Sequence, residues 1–229
     1  MENNKLKYYK LVFVCLILII ISIYVFNRAS YYESMASRRI VSKKKRLQIL
    51  QELYNIIVNL AEENNIKVFI IYGTLLGKIR NNDIICYDFD LDFGVNSNDY
   101  ELMRQSILKY ANNNKQYIVE DKKLLWWKAI ALVDKETGLN ADIMVYYNNK
   151  TYVWRSISDL YAKYILNECN NNFPIDWIYP LQKSTFLGRT IYLPNKPNNI
   201  LECHYGSDFM VPNHTCNIDC SICVENKKY

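Results

Sequence analysis

The stretch Ile70–Val95, IIYGTLLGKIRNNDIICYDFDLDFGV, constrains the fold more than any other part of the chain. Near its end, Asp88-Phe89-Asp90-Leu91-Asp92-Phe93 alternates carboxylates with large apolar residues. A period of two belongs to a half-buried strand, so Asp88, Asp90 and Asp92 are expected on one face. Three carboxylates side by side repel one another, and Asp is depleted in strands. A bound cation removes the conflict. Hard divalent ions take oxygens from one or two carboxylates together with substrate phosphates. The stretch therefore reads as a site for Mg²⁺ or Mn²⁺. The competing reading is a solvated acidic strand face.

Upstream, Lys67–Tyr72 reads as a strand that leads into Gly73-Thr74-Leu75-Leu76-Gly77. The glycines permit close backbone approach, and Thr74 is expected to cap the helix opened by Leu75 and Leu76. A helix N-terminus presents free N–H groups to an anionic phosphate. Lys78 and Arg80 add positive charge, either for a phosphate or as ion-pair partners of the Asp cluster. A Gly-Thr pair alone is usually a plain turn; the carboxylate ladder behind it gives it meaning.

Together, Gly73–Gly77, Arg80 and Asp88–Asp92 resemble the LicD/fukutin family, which has a nucleotidyltransferase-like fold. Further pieces resemble it in the right order: Phe173-Pro174, Tyr179-Pro180-Leu181, Phe186–Arg189, Leu193-Pro194, and LECHYGSDFMVP over Leu201–Pro212. The resemblance implies an α+β domain over 46–212, a mixed β-sheet with flanking helices. It implies transfer of a phospho-alcohol, phosphocholine or an alditol phosphate, from a CDP-activated donor to a glycan hydroxyl. Asp142, a lone carboxylate in the apolar run Leu139–Tyr147, sits where the family places a third carboxylate; otherwise it is a strand-edge Asp beside a turn. On this reading Asp90, Asp92 and Asp142 are catalytic, and Asp88 joins them as a metal ligand. Gly73, Thr74, Lys78 and Arg80 then bind the donor.

Ahead of the domain, Leu11–Phe26 is apolar except for Ser22. After a tail over 1–10, residues 11–27 read as a single transmembrane signal anchor, followed by a basic stem over 28–45. The Lys/Arg count would put the following chain in the cytoplasm. The family resemblance implies the opposite: a type II protein with a lumenal domain in an endoplasmic reticulum or Golgi-like compartment. Residues 1–46 hold ten Lys or Arg against two Asp or Glu, and the remainder holds eighteen against twenty-one. The domain thus lacks the basic excess that nucleic acid requires, and no nucleic-acid partner is expected.

The remaining pattern predicts helices over Arg46–Asn64, Asn98–Asn113, Thr151–Cys169 and Pro197–Tyr205. It predicts a strand over Gln116–Glu120 and hairpins around Asp134–Gly138 and Gly188. In the Cys-rich end of the chain, with its tail over 213–229, Cys203, Cys216, Cys220 and Cys223 have spacing open to disulfides, zinc or plain thiols. Two other functions compete. A DxD-type glycosyltransferase using a nucleotide-sugar leaves Gly73–Gly77 and Asp142 unexplained. A non-catalytic membrane-tethered relative has no reason to keep the carboxylate repulsion.

Overall fold

A computed structural model of the chain describes residues 41–123, 128–155, 172–212, 214–216 and 223–225. The chain divides into two units, Met1–Ile40 and Val41–Tyr229, and every described residue lies in the second. Helix α1 (Lys43–Glu63) opens at Ser42, whose hydroxyl accepts from the Lys45 N–H at 3.4 Å. Its stripe of Leu50, Leu53, Tyr54 and Ile57 is fully buried. Then follow β1 (Phe69–Ile70), α2 (Tyr72–Asn81), β2 (Asp90–Asn96), α3 (Ser97–Asn113), β3 (Tyr117–Lys123), β4 (Lys128–Asp134) and β5 (Asn140–Asn148). Next come β6 (Tyr152–Trp154), β7 (Asn172–Pro174), α4 (Ile175–Ile178), β8 (Gln182–Phe186), β9 (Arg189–Leu193) and α5 (Pro197–Tyr205). A small hairpin, β10 (His214–Cys216) and β11 (Cys223–Glu225), forms its own two-stranded sheet.

The main sheet runs β3-β4-β5-β2-β1-β9-β8, with β6 paired to β5 and β7 to β6. It is mixed: β2 pairs β5 in parallel and β1 pairs β9 in parallel, while the other pairs are antiparallel. Strand alternation gives the sheet two distinct faces. One carries Ile70, Leu91, Phe93, Val95, Ala141, Ile143 and Val145, packed on α1 and on Tyr100, Met103 and Ile107 of α3. The other carries Phe69, Met144 and Tyr146, packed with Val153, Phe173 and Ile200. Burying each such side chain contributes roughly 1.5–3 kcal/mol. On this second face Gly94 lies opposite Phe69, and a Cβ there would come within 2.3 Å of the Phe69 ring. A glycine is what lets the ring lie across β2.

Several expected boundaries move. Strand β2 starts at Asp90, not Asp88, because its first partner on β5 is Asn140, opposite Asp90. Asp88 instead closes a turn, its N–H donating to the Ile85 carbonyl at 2.9 Å. Strand β1 shrinks to two residues because Tyr72 already turns into α2, at φ 50°. The helix expected over Thr151–Cys169 begins as β6, drawn into the sheet by pairing with β5; residues 156–171 lie outside those described.

The expected transmembrane arrangement is corrected. Among the described residues no helix is long and apolar enough to cross a membrane. Helix α1 has the length, but Lys43, Lys44, Lys45, Arg46, Glu52, Glu62 and Glu63 make it an amphipathic helix that packs on the sheet. The segment 11–27 read as the anchor, and residues 28–40 of the stem, lie outside the described residues. The single-pass, type II, lumenal placement built on that anchor is withdrawn with it. Of the clustered cysteines, Cys203 is disulfide-bonded, as is Cys86. Cys216 and Cys223 are register partners across the small hairpin, and Cys220 lies outside the described residues.

Candidate active site

Parallel pairing of β2 with β5 sets Asp92 opposite Asp142, and Asp90 opposite Asn140. Carboxylate oxygens of Asp90, Asp92 and Asp142 lie within 4.8 Å of one another. The first turn of α2 anchors the Asp92 backbone. The Ile71 N–H donates to the Asp92 carbonyl at 3.1 Å, and the Asp92 N–H donates to Thr74 Oγ1 at 2.8 Å. Thr74 is therefore not the expected helix cap. Ile71 occupies that position without a side-chain bond, and the buried Thr74 hydroxyl pins the acidic strand. Asn140 Nδ2 donates to Asp142 Oδ1 at 2.8 Å and orients that carboxylate.

Thr74→Val should leave the Asp92 amide without its acceptor and cost about 1–3 kcal/mol. Thr74→Ser should recover most of that loss. Equal melting temperatures for wild type and the Val variant would refute the role given to this hydroxyl.

The electrostatics oppose charge on the cluster. Burial, then repulsion from Asp90, Asp142 and Asp88, pushes the Asp92 carboxyl well above the usual carboxylate range, and Arg155 only partly offsets this. Burial and Asp90 push Asp88 up to about 7 against the opposing Arg46. A site whose neighbouring carboxylates raise the proton affinity of Asp92 is one that a divalent cation relieves. All three converging donors are carboxylate oxygens, the hard set suited to Mg²⁺ or Mn²⁺.

The other expected residues are placed differently. Asp88 stands on the turn before β2, outside the three converging carboxylates, against Gly73; a Cβ on Gly73 would sit 3.0 Å from Asp88 Oδ2. Arg46 from α1 holds this turn through the Cys86 carbonyl at 2.7 Å and lies 5.4 Å from the Phe89 ring centroid. Lys78 Nζ donates to Asn82 Oδ1 at 2.5 Å and to the Thr185 carbonyl at 2.7 Å. Arg80 donates to the carbonyls of Phe209 at 2.5 Å and Val211 at 3.3 Å. A helix rises 1.5 Å per residue, so these two cations stand about 6–9 Å along α2 from Thr74. Arg80 also lines a cavity of about 210 Å³ with Gly73, Tyr87, Asp88, Tyr205 and Asp208.

Sequence reasoning missed Tyr72, Asn140 and Arg155. Arg155 Nη1 donates to Tyr72 Oη at 3.1 Å and contacts Met144 Sδ at 2.9 Å. The ring of His204 packs on Tyr72, with centroids 4.8 Å apart, and burial holds its imidazole down to about 4, so it is neutral at pH 7. Asn140 stands two residues before Asp142, a spacing that puts both on one strand face. Arg155 had no local signal, because it follows a short strand inside a segment with helical periodicity.

Residues 65–196 match the family described as LicD/FKTN/FKRP, nucleotidyltransferase domain. An uncharacterized protein of Rickettsia typhi is 29% identical over 180 residues, covering 76% of this chain and 50% of that protein. The human ribitol 5-phosphate transferase FKRP is 24% identical over 166 residues, covering 70% of this chain and 32% of FKRP. The chain therefore matches half or less of the length of these relatives. Among solved structures, ANT(2")-Ia in complex with adenylyl-2"-tobramycin aligns with a TM-score of 0.43 and 11% identity, over 63% of this chain and 68% of that one. The family match takes in more than half of the chain, from the strand before Gly73 through all three converging carboxylates to the end of β9. The chain belongs to the LicD/FKTN/FKRP family.

Proposed function

We propose that this domain moves a phospho-alcohol, of phosphocholine or alditol-phosphate type, from a CDP-activated donor to a glycan hydroxyl. The observation that carries the reading is the convergence of Asp90, Asp92 and Asp142 from two parallel strands. Similarity to a relative named as a ribitol 5-phosphate transferase supports the class of group transferred. Asp90, Asp92 and Asp142 would hold Mg²⁺ or Mn²⁺, which supplies charge neutralisation for a diphosphate and its departing CMP. Gly73 and Thr74 lie in the first turn of α2, and their N–H groups would take the donor phosphates. The glycan oxygen bonds to the alcohol-bearing phosphorus as the bridging P–O bond to CMP breaks. Asp142, steadied by Asn140, accepts the hydroxyl proton.

Calorimetry on the full chain tests this with CDP-choline, CDP-ribitol, CDP-glycerol and UDP- or GDP-sugars, each with and without Mn²⁺. The expected result is Mn²⁺-dependent binding of one CDP-alcohol and no binding of the sugars. Binding of a nucleotide-sugar alone would make the protein a glycosyltransferase. Binding of neither metal nor nucleotide would leave a non-catalytic relative.

A further inference from the structure

We propose that Arg155 is the anion-recognition residue of this site, and that its guanidinium binds the donor's diphosphate beside the three carboxylates. The assignment rests on the metal-dependent nucleotide reading above and names a residue that reading does not use.

Placement is the first argument. Alternation along β5 puts Asp142, Met144 and Tyr146 on one face. Arg155 rests on Met144, one two-residue step of about 7 Å from Asp142. The same helical turn that sets the carboxylates also aims the guanidinium. Tyr72 lies between Ile71 and Thr74, which both bond the Asp92 backbone, and its hydroxyl accepts from Arg155. The Tyr146 hydroxyl braces it from β5 at 3.5 Å. Tyr72 reaches this position at φ 50°, a conformation costing a bulky residue about 1–3 kcal/mol and kept only where packing enforces it.

Charge is the second argument. Three carboxylates and one divalent ion leave a net negative charge, which repels a diphosphate. A guanidinium on the same face cancels that charge, and its planar fork matches phosphate oxygens. Lys78 donates to Asn82 and to the Thr185 carbonyl on β8, Arg80 donates to the carbonyls of Phe209 and Val211, and His204 is neutral.

The test is calorimetric titration of Mn²⁺ alone, then of CDP into the Mn²⁺-loaded full chain, for wild type, Arg155→Gln, Arg155→Lys and Tyr72→Phe. Arg155→Gln should bind Mn²⁺ as tightly as wild type or more tightly, since a repelling cation is gone. Its CDP affinity should fall about tenfold or more. Arg155→Lys should lose about three- to tenfold, keeping charge but not the fork. Tyr72→Phe should lose a few-fold, from a guanidinium no longer oriented. CDP affinities within twofold of wild type in both Arg155 variants overturn the proposal. If Arg155→Gln does not fold, Arg155→Lys decides alone. A wild-type chain that binds no CDP with Mn²⁺ overturns the functional reading itself, a different outcome from an Arg155 variant that binds normally.

Discussion

Asp92→Asn is expected to abolish metal-dependent transfer and, in the same variant, to raise the melting temperature. Asp92 is half-buried, and Asp90, Asp142 and Asp88 oppose its charge while Arg155 partly offsets them. An amide of nearly the same shape removes the repulsion and keeps the backbone bonds to Ile71 and Thr74. Relief of such a conflict is worth about 1–3 kcal/mol, or about 2–4 °C per kcal/mol in a domain of this size. The sign with pH follows from linkage. The folded carboxyl titrates above its unfolded value, so the penalty is absent below the unfolded value, grows as pH rises between the two, and is complete above the folded value. The gap between variant and wild type should therefore open from acidic to neutral pH. Mn²⁺ should raise the wild-type melting temperature and leave the variant unmoved, while transfer falls about 10³-fold. A variant that melts below wild type and still responds to Mn²⁺ would refute this account of the site.

Gly94→Ala carries the second large effect. The new methyl would meet three carbons of the Phe69 ring at 2.3, 2.5 and 2.8 Å. Overpacking of this kind costs about 3 kcal/mol, or roughly 6–12 °C. The lesion lies two residues beyond Asp92 on the same face, so Mn²⁺ affinity should fall with stability. Shortening the ring by Phe69→Leu in the Gly94→Ala background should recover part of the loss, with a coupling of about 1 kcal/mol or more. Strict additivity of the two changes would mean that the ring does not enforce the glycine.

Much of this site was legible because its signals are local. Period-two alternation placed Asp90 and Asp92 on one strand face, and the Asp134–Gly138 turn gave the β4-β5 hairpin that carries Asp142. What stayed hidden depends on partners distant in sequence. Asp88 has the right alternation, but no strand residue opposes it, so it forms a turn. Lys78 and Arg80 have the charge a phosphate wants, and each also donates to a carbonyl, about 107 and 129 residues away, that no local pattern announces. Thr74 looked like a cap because caps are the common use of Thr before a helix. Its hydroxyl instead went to an amide on the neighbouring strand. Arg155 is significant only once β6 folds back along β5, and nothing adjacent to it announces that.

The span that matches the family, 65–196, is not a span that can stand alone. Leu50, Leu53, Tyr54 and Ile57 cover the sheet from before it, and Leu201 and Phe209 are buried after it. Arg80 is clasped by carbonyls of Phe209 and Val211. A piece cut at those limits would carry Asp90, Asp92, Asp142 and Arg155 but expose the part of the sheet that α1 covers. Four large side chains lost from α1 alone remove about 6–12 kcal/mol, as much as the whole stability of an ordinary domain. An expression unit therefore needs at least α1 and the chain through Val211, and libraries trimmed to residues 65–196 should yield insoluble protein.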